Sequence, residues 1–581
     1  MKRSRTVPRI RHTIASKFGV SGRVLFLFVA ACSTTLWRTS EAQAASFSRE
    51  PSSPISGTLF LCGGGKLPER LYDEFYKLAG GEKGRLVVIT TASQMADTEQ
   101  EHLLLDRWTQ RRFRSVIRMH TRSREVASDP AFSSALREAT AVWITGGEQR
   151  RLLNSYAGTP VVDELHRLLA RGGTLGGTSA GMALIGEVAI VDEYLGVPVL
   201  DAGFGLVRGV IFDQHFSERR RHDRLAKAVA EHPGFVGIGV DERTALRIQG
   251  RELKVIGEGN AHVVLGPSSA RTTTTIRLRE HMRDDLVALS RAALARASEI
   301  RPPLRAAKQT AAAPPAPPRV DKGSLLIVGG GRMTEAIQKK FLELAGGLEA
   351  RIVVVPTAGD QPEKADAETT WLTKAGAKSV SVVHARSREE AESESLVEML
   401  RKADGVWFGG GRQWRFVDAY EGTACYEAFH DVLRRGGVIG GSSAGATIQG
   451  EYLVRGSPLG NTIMMAEGYE RGFNFLPGTA IDQHFSQRQR APDMLQLKKT
   501  FPQLLGLGID EATAVVVRGQ EMEVVGDNKV SVYPPRPPAS LENDSSDTDL
   551  SDTFEPDVLE PGETYDLVRF ARRPTGMTAS Q

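Results

Sequence analysis

Cysteine is scarce in this chain. Only Cys32, Cys62 and Cys425 occur among 581 residues, too few for a disulfide framework, and no Cys/His cluster has zinc-ligand spacing. Neither a metal nor an organic cofactor is implied. The apolar run Val24–Cys32 falls well short of the roughly 20 residues a membrane-spanning helix needs. A charge excess of one sign is also missing from the body of the chain. The formal net charge is +4, but residues 1–45 hold eight Lys or Arg and one Glu, 8 − 1 = +7, which leaves 4 − 7 = −3 for the rest. A nucleic-acid binder carries a basic stripe on its folded domain, so a nucleic-acid partner is not expected. The remaining composition, 41% hydrophobic and 25% charged, is that of a globular protein rather than a fibre or a disordered chain.

Residues 1–45 read as an export signal. A basic start (Lys2, Arg3, Arg5, Arg9, Arg11, Lys17, Arg23) precedes the apolar run, and Ala42-Gln43-Ala44 supplies a small-x-small cleavage pattern. The expected location is secreted or periplasmic. The rival reading is lipid anchoring at Cys32, which ends the lipoprotein-like string Val29-Ala30-Ala31-Cys32. A mitochondrial-type targeting segment would start similarly.

The strongest signal is duplication. Leu59–Gly65 matches Leu325–Gly331, and Leu86–Ala92 matches Ile352–Ala358. Gly146-Gly147-Glu148-Gln149 matches Gly410-Gly411-Arg412-Gln413, and Gly177-Thr178-Ser179-Ala180-Gly181 matches Gly441-Ser442-Ser443-Ala444-Gly445. Asp213-Gln214-His215-Phe216-Ser217 matches Asp482-Gln483-His484-Phe485-Ser486, and Gly239-Val240-Asp241-Glu242 matches Gly508-Ile509-Asp510-Glu511. All six pairs keep their order, at offsets between 264 and 269.

Within each copy, short Val/Ile/Leu runs ending in Gly or Thr alternate with amphipathic stretches such as Pro68–Leu78 and Val162–Leu169. That alternation predicts a mostly parallel sheet covered on both faces. Each copy is thus expected to be a three-layer α/β/α domain, at 57–265 and 323–533. Residues 266–322 are expected to hold a charged helix over Arg277–Ala297 and an Ala/Pro-rich linker over Arg301–Arg319. The Pro-rich, acidic segment 534–581, with Asp544, Asp547, Asp549, Asp552, Glu555, Asp557, Glu560 and Glu563, is expected to be a disordered solubilising tail.

Ser179 follows the strand-like Thr174-Leu175 and precedes a helical pattern. Small neighbours suit a sharp strand-to-helix turn that presents the hydroxyl and aims the next backbone N–H at an oxyanion. Taken alone, the string also fits a Gly/Ser-rich helix start. A serine needs a base, and His215 follows the apolar run Val210–Phe212. Both copies place Ser before His, 215 − 179 = 36 and 484 − 443 = 41 residues apart, so the pair is read as catalytic rather than structural.

The combination of Gly-Thr-Ser179-Ala-Gly, Asp213-Gln214-His215-Phe216 and the arginines that follow resembles cyanophycinase and, more loosely, the related aspartyl dipeptidases. The resemblance spans about 57–265 and 324–533. It implies a serine hydrolase of class I glutamine-amidotransferase-like (flavodoxin-like) fold that cleaves cyanophycin, a poly-aspartate bearing arginine on its side-chain carboxylates, into β-Asp-Arg dipeptides. It further implies Ser179 as nucleophile, His215 as general base and then acid, and an acidic third member. The resemblance assigns that acid to Glu193 over the neighbouring Asp192, because Glu193 lies 215 − 193 = 22 residues before the histidine, near the family's usual interval. Gln149, Asp213, Gln214, Arg219, Arg221 and Arg224 would bind substrate, the arginines by forking onto carboxylates and Asp213 by pairing with a guanidinium.

The second copy retains Ser443, His484, Gln413, Asp482, Gln483, Arg488 and Arg490, but Asp493 stands where the first has Arg224. No carboxylate occurs between Arg455 and Asn461, where its acid is expected, leaving Asn461 or the earlier Glu451 as substitutes. The second copy is therefore expected to be slow, differently specific or only structural. A short-peptide dipeptidase and a non-catalytic binding protein are the competing functions. A homodimer, or a tandem chain that mimics one, is the expected assembly by analogy alone.

Overall fold

The computed structural model describes residues 50–298, 317–362, 366–536 and 554–573. The export-signal reading, Cys32, residues 301–316 of the expected linker and about half of the acidic tail lie outside these residues.

In the first half, strands β1 (Ile55–Cys62), β2 (Arg85–Ile89), β3 (Ser115–Met119), β4 (Ala141–Ile144) and β5 (Thr174–Thr178) run parallel in the order 1-5-4-2-3. Alternating residues of these strands serve two different cores. Phe60, Cys62, Leu86, Val88 and Trp143 join Leu71 and Phe75 of the helix Glu69–Leu78 on one face. Leu59, Leu61, Val87, Ile89, Val142 and Ile144 meet Leu165 and Leu168 of the helix Pro160–Ala170 on the other. Strands buried on both sides must be apolar without interruption, which is why these runs read as solid Val/Ile/Leu. The expected three layers are present, with mostly parallel pairing.

A second sheet is built from β6 (Gly186–Tyr194), β7 (Val197–Ala202), β8 (Val207–Asp213) and β9 (Val236–Val240). The chain then returns to the first sheet through antiparallel β10 (Thr244–Gly250) and β11 (Glu252–Gly257), and to the second through β12 (Ala261–Leu265) and β13 (Thr274–Leu278). A short β14 (Arg283–Asp285) closes the first sheet beside β11. Helix occupies only Leu286–Ala297, so the helix expected from Arg277 onward begins nine residues later, after two edge strands.

The second half repeats this plan. Its large sheet contains β15 (Val320–Val328), β16 (Arg351–Val355), β17 (Ser379–Val382), β18 (Gly405–Phe408) and β19 (Val438–Ser442), in the same parallel order. Its second sheet contains β20 (Gly450–Tyr452), β21 (Leu476–Gln483) and β22 (Leu505–Ile509). β23 (Thr513–Gly519), β24 (Glu521–Gly526) and β25 (Val530–Tyr533) follow as β10, β11 and β12 do.

The tail corrects an expectation. Residues 557–559 and 564–566 form β26 and β27, which pair with β25 and β24 as β13 and β14 pair with β12 and β11. A further strand, β28 (Ala571–Arg572), extends the edge. Phe554, Tyr565 and Leu567 are buried. Apolar residues spaced among the acids let these edge strands dock although the composition is that of a solvated tail. The repeat therefore continues past residue 533, and Asp285-Leu286-Val287 returns as Asp566-Leu567-Val568.

The two halves meet through different surfaces. Arg291, on the helix Leu286–Ala297, donates to Glu421 and to the carbonyl of Gly468 at 2.9 Å. Arg251 reaches Asp418 and the hydroxyl of Tyr469 (2.8 Å), and stacks 4.3 Å over the Trp414 ring. Arg271 and Arg296 share Glu467. The first half has Arg150, Asn154 and Ala157 where the second has Trp414, Asp418 and Glu421. These contacts are heterologous, unlike the self-complementary interface of a two-fold dimer.

Candidate active sites

Ser179 and Ser443 occupy equivalent turns between a parallel strand and a four-residue helix, Ala180–Ala183 or Ala444–Thr447. Their backbones are strained alike, with φ 53°, ψ −114° and φ 56°, ψ −110°, a region that L-residues avoid unless surrounding structure enforces it. Backbone bonds do so here, as the amides of Ser179 and Ser443 donate to the carbonyls of Cys62 (3.0 Å) and Val328 (3.1 Å).

The histidines come from the other sheet. His215 lies just beyond β8 and His484 just beyond β21, and their amides donate to the carbonyls of Gly63 (2.8 Å) and Gly329 (2.7 Å). The Gly-Gly-Gly loop after β1 or β15 thus brackets serine and histidine together. It must be glycine at its centre: a Cβ on Gly64 would lie 2.6 Å from Nε2 of His215, and one on Gly330 at the same distance from Nε2 of His484.

The hydroxyl of Ser179 lies 2.9 Å from Nε2 of His215, and that of Ser443 lies 3.0 Å from Nε2 of His484. Each Nδ1 bonds a carboxylate at 2.6 Å: Glu242 in the first half, Glu511 in the second. Glu193 is not that acid. Its exposed carboxylate lies 3.8 Å from Arg224, on the β6–β7 hairpin rather than beside the imidazole. The expected gap in the second half disappears for the same reason. Neither Asn461 nor Glu451 replaces an acid: the Asn461 carbonyl accepts from Arg455 and the Glu451 carboxylate from the amide of Gly478. Glu242 and Glu511 each follow their histidine by 27 residues and end the repeated string Gly-Val/Ile-Asp-Glu. Recurrence in both copies was the signal that would have identified them.

Burial pushes the pKa of both imidazoles below the ordinary 6.5, opposed by Glu242 or Glu511 and assisted by Arg219 or Arg488. The net shift favours the neutral, proton-accepting form of each ring.

The other expected site residues divide into two groups. Asp213, fully buried, is gripped by Arg224 (Nε to Oδ2, 3.0 Å) and approached by Arg221 at 3.4 Å, while Arg221 also donates to the Gln214 carbonyl at 2.7 Å. Asp482 is likewise held by Arg490 at 2.8 Å and by Arg455. Asp213, Arg221, Arg224, Asp482 and Arg490 therefore satisfy one another within the protein, and the expected pairing of Asp213 with a substrate guanidinium meets a carboxylate already neutralised. Gln149 and Gln413 donate their amides to the carbonyls of Ile190 (3.4 Å) and Val454 (3.0 Å). What stays open is Arg219 and Arg488, both exposed, and the buried side-chain oxygens of Gln214 and Gln483, which have no hydrogen-bond partner among the described residues.

Among known proteins, a cyanophycinase from Geminocystis herdmanii is 30% identical over 218 residues, covering 36% of this chain and 80% of that protein. One from Nostoc sp. is 29% identical over 252 residues, covering 42% of this chain and 79% of that protein. Among solved structures, a peptidase from an acI-B1 Actinobacterium matches 43% of this chain and 98% of its own, at 22% identity and a TM-score of 0.33. Peptidase family S51 matches twice, over residues 59–256 and 325–525. With most of its length accounted for by two such regions, the chain belongs to peptidase family S51 and is a serine peptidase.

Proposed function

We propose that both halves are active and that the protein hydrolyses cyanophycin to β-Asp-Arg dipeptides, with Ser179 and Ser443 as nucleophiles, His215 and His484 as bases, and Glu242 and Glu511 as their orienting acids. The observation that carries this reading is the unbroken Ser–His–Glu chain of hydrogen bonds in each half, at 2.9 and 2.6 Å in the first and 3.0 and 2.6 Å in the second.

The steps follow from that geometry. Nε2 of His215 takes the proton as Oγ of Ser179 attacks the scissile carbonyl, and Glu242 steadies the imidazolium through Nδ1–H. The oxyanion forms beside the amide of Ala180, which has no intrahelical carbonyl to bind at the start of its helix. Gly146 approaches the serine closely, since a Cβ there would stand 3.2 Å from Cβ of Ser179. The imidazolium protonates the departing amine. A water molecule, deprotonated by the same ring, then releases the acyl group and restores the serine.

Two observations support an aspartate-rich substrate, and a third suits any peptide. The curated relatives above are cyanophycinases. Arg219 and Arg488 keep exposed guanidiniums close enough to depress the histidine pKa, and such forks suit substrate carboxylates. The unpartnered oxygens of Gln214 and Gln483 suit substrate N–H groups, because a buried acceptor left unmet costs about 1–3 kcal/mol. Export, by cleavage after Ala44 or by lipid attachment at Cys32, would bring the enzyme to polymer outside the cytoplasm.

Product analysis after incubation with insoluble cyanophycin tests the reading. Soluble β-Asp-Arg is the expected product. Cleavage of Asp-X dipeptides without release from the polymer would instead establish a dipeptidase, and failure of both serines to react with a fluorophosphonate would end the hydrolase reading.

A further inference from the structure

The two sites hold their buried aspartate by different routes. Positions correspond without ambiguity here: Gln149 and Gln413 bond the carbonyls of Ile190 and Val454, so the following residues, Val191 and Arg455, are equivalent. Arg224 and Asp493 each stand nine residues past their histidine. Between the copies, then, Val191 becomes Arg455 while Arg224 becomes Asp493.

In the first site Arg224 rises from the helix His222–Glu231 to grip Asp213, with Glu193 behind it at 3.8 Å. In the second, Arg455 comes from the segment after β20. It holds Asp482 through Nε and Nη2, both at 2.9 Å, and Asp493 accepts from Nη2 at 2.7 Å. Its Nη1 donates to the Asn461 carbonyl at 3.0 Å. Asp213 and Asp482 are both 0% exposed. A carboxylate that deep needs its counter-charge wherever in the chain it originates. Arg221 and Arg490 supply one guanidinium in each site, and the second has changed elements. Asp482 precedes Gln483 and His484 directly, so its anchoring fixes the strand end that carries the base.

We propose that Arg455 is a positioning residue of the second site, doing from a loop what Arg224 does from a helix, and that Asp493 is its partner in a reciprocal exchange. The second site is then a complete site with its own internal scaffold rather than a lapsed copy. Its bond to Asn461 also ties the following loop to the floor of the site, a link made in the first half by the β6–β7 hairpin. This rests on reading Ser443 as a nucleophile.

The test uses full-length protein carrying Ser179→Ala, so that only Ser443 can react, and measures the rate of its labelling by a fluorophosphonate. Arg455→Val should slow labelling about tenfold or more, and Asp493→Arg alone should slow it by crowding two guanidiniums. The double change, which rebuilds the first-site arrangement, should recover to within about threefold of the parent, the non-additivity expected of coupled neighbours. An Arg455→Val protein that labels like its parent, or a double variant no faster than the single ones, overturns the proposal. Melting temperatures of the same proteins separate this from the functional reading. If Ser443 is not labelled even in the parent, hydrolysis at the second site fails as a reading. Higher melting of the double variant than of Arg455→Val still supports the exchange, and equal melting refutes it.

Discussion

Oε1 of Glu242 lies 2.6 Å from Nδ1 of His215, and Glu511 stands in the same relation to His484. An acid in that place fixes the tautomer in which Nε2 can accept the serine proton and offsets the charge that follows. In protein carrying Ser443→Ala, Glu242→Gln should lower kcat by about 10²–10⁴ with little change in KM. Glu193→Gln should stay within a few-fold, since its carboxylate touches only the edge of Arg224. Steady-state kinetics on one soluble β-Asp-Arg oligomer distinguishes the two. Comparable losses in both variants would mean the hairpin acid has a catalytic part.

Two complete sites predict two labelled serines. A fluorophosphonate should modify the wild-type chain at close to two equivalents, and either Ser→Ala variant at one. Intact-mass spectrometry reads this directly. A single equivalent lost with Ser179→Ala would mark the second half as inert.

The acid limb of the pH profile follows from the depressed imidazole pKa. A histidine harder to protonate than usual stays neutral, and so competent as a base, through the range where a free histidine would gain its proton. The acid limb of kcat/KM should therefore be centred below 6.5. Arg219 is one cause of the depression, so Arg219→Gln should move the first site's acid limb to higher pH. A limb centred at or above the ordinary histidine value in the unmodified protein would contradict the burial argument.

Gly64 offers a steric test that leaves the reacting groups chemically intact. A methyl there would press into the His215 ring, and the residue's φ of 114° already excludes ordinary L-side chains. Gly64→Ala should cost the first site about 10²-fold, the scale expected when a reacting group shifts by an ångström, while the second site keeps its rate. Labelling of Ser179 against Ser443 in one sample supplies an internal control.

These sites show what a sequence exposes and what it hides. The fold was legible because β1, β2 and β4 are buried on both faces and carry unbroken apolar runs, and the duplication repeated that pattern. Ser179 was legible because a tight turn demands small neighbours, and His215 because both copies place Asp-Gln-His-Phe in the same order after that serine. Glu242 stands in a string repeated in both copies, whereas Glu193 has Ser457 as its counterpart in the second half. The Arg455–Asp493 pair was not legible. A bond between residues 38 apart on different elements leaves no local pattern, and each residue alone resembles a loss. The edge strands at 557–566 were hidden by acidic composition, because a short strand needs only two or three buried side chains to dock.

The contact between the halves yields the last prediction. Arg291 is almost enclosed: it donates to Glu421 and to the Gly468 carbonyl, and its guanidinium lies 4.8 Å over the Tyr469 ring. Arg291→Ala removes the donor to a half-buried carboxylate and to a carbonyl and empties the space over Tyr469, at a cost of about 1–3 kcal/mol. Arg85→Ala is the control. Its partner Glu138 is 76% exposed, and such surface pairs contribute about 0–1 kcal/mol. Urea titrations followed by tryptophan fluorescence should separate them, with Trp414 beneath Arg251 reporting on the seam itself. The Arg85→Ala protein should unfold as the wild type does. The Arg291→Ala protein should lose the seam first, its halves then unfolding at lower urea, and a variant that melts unchanged would mean the halves do not depend on this contact.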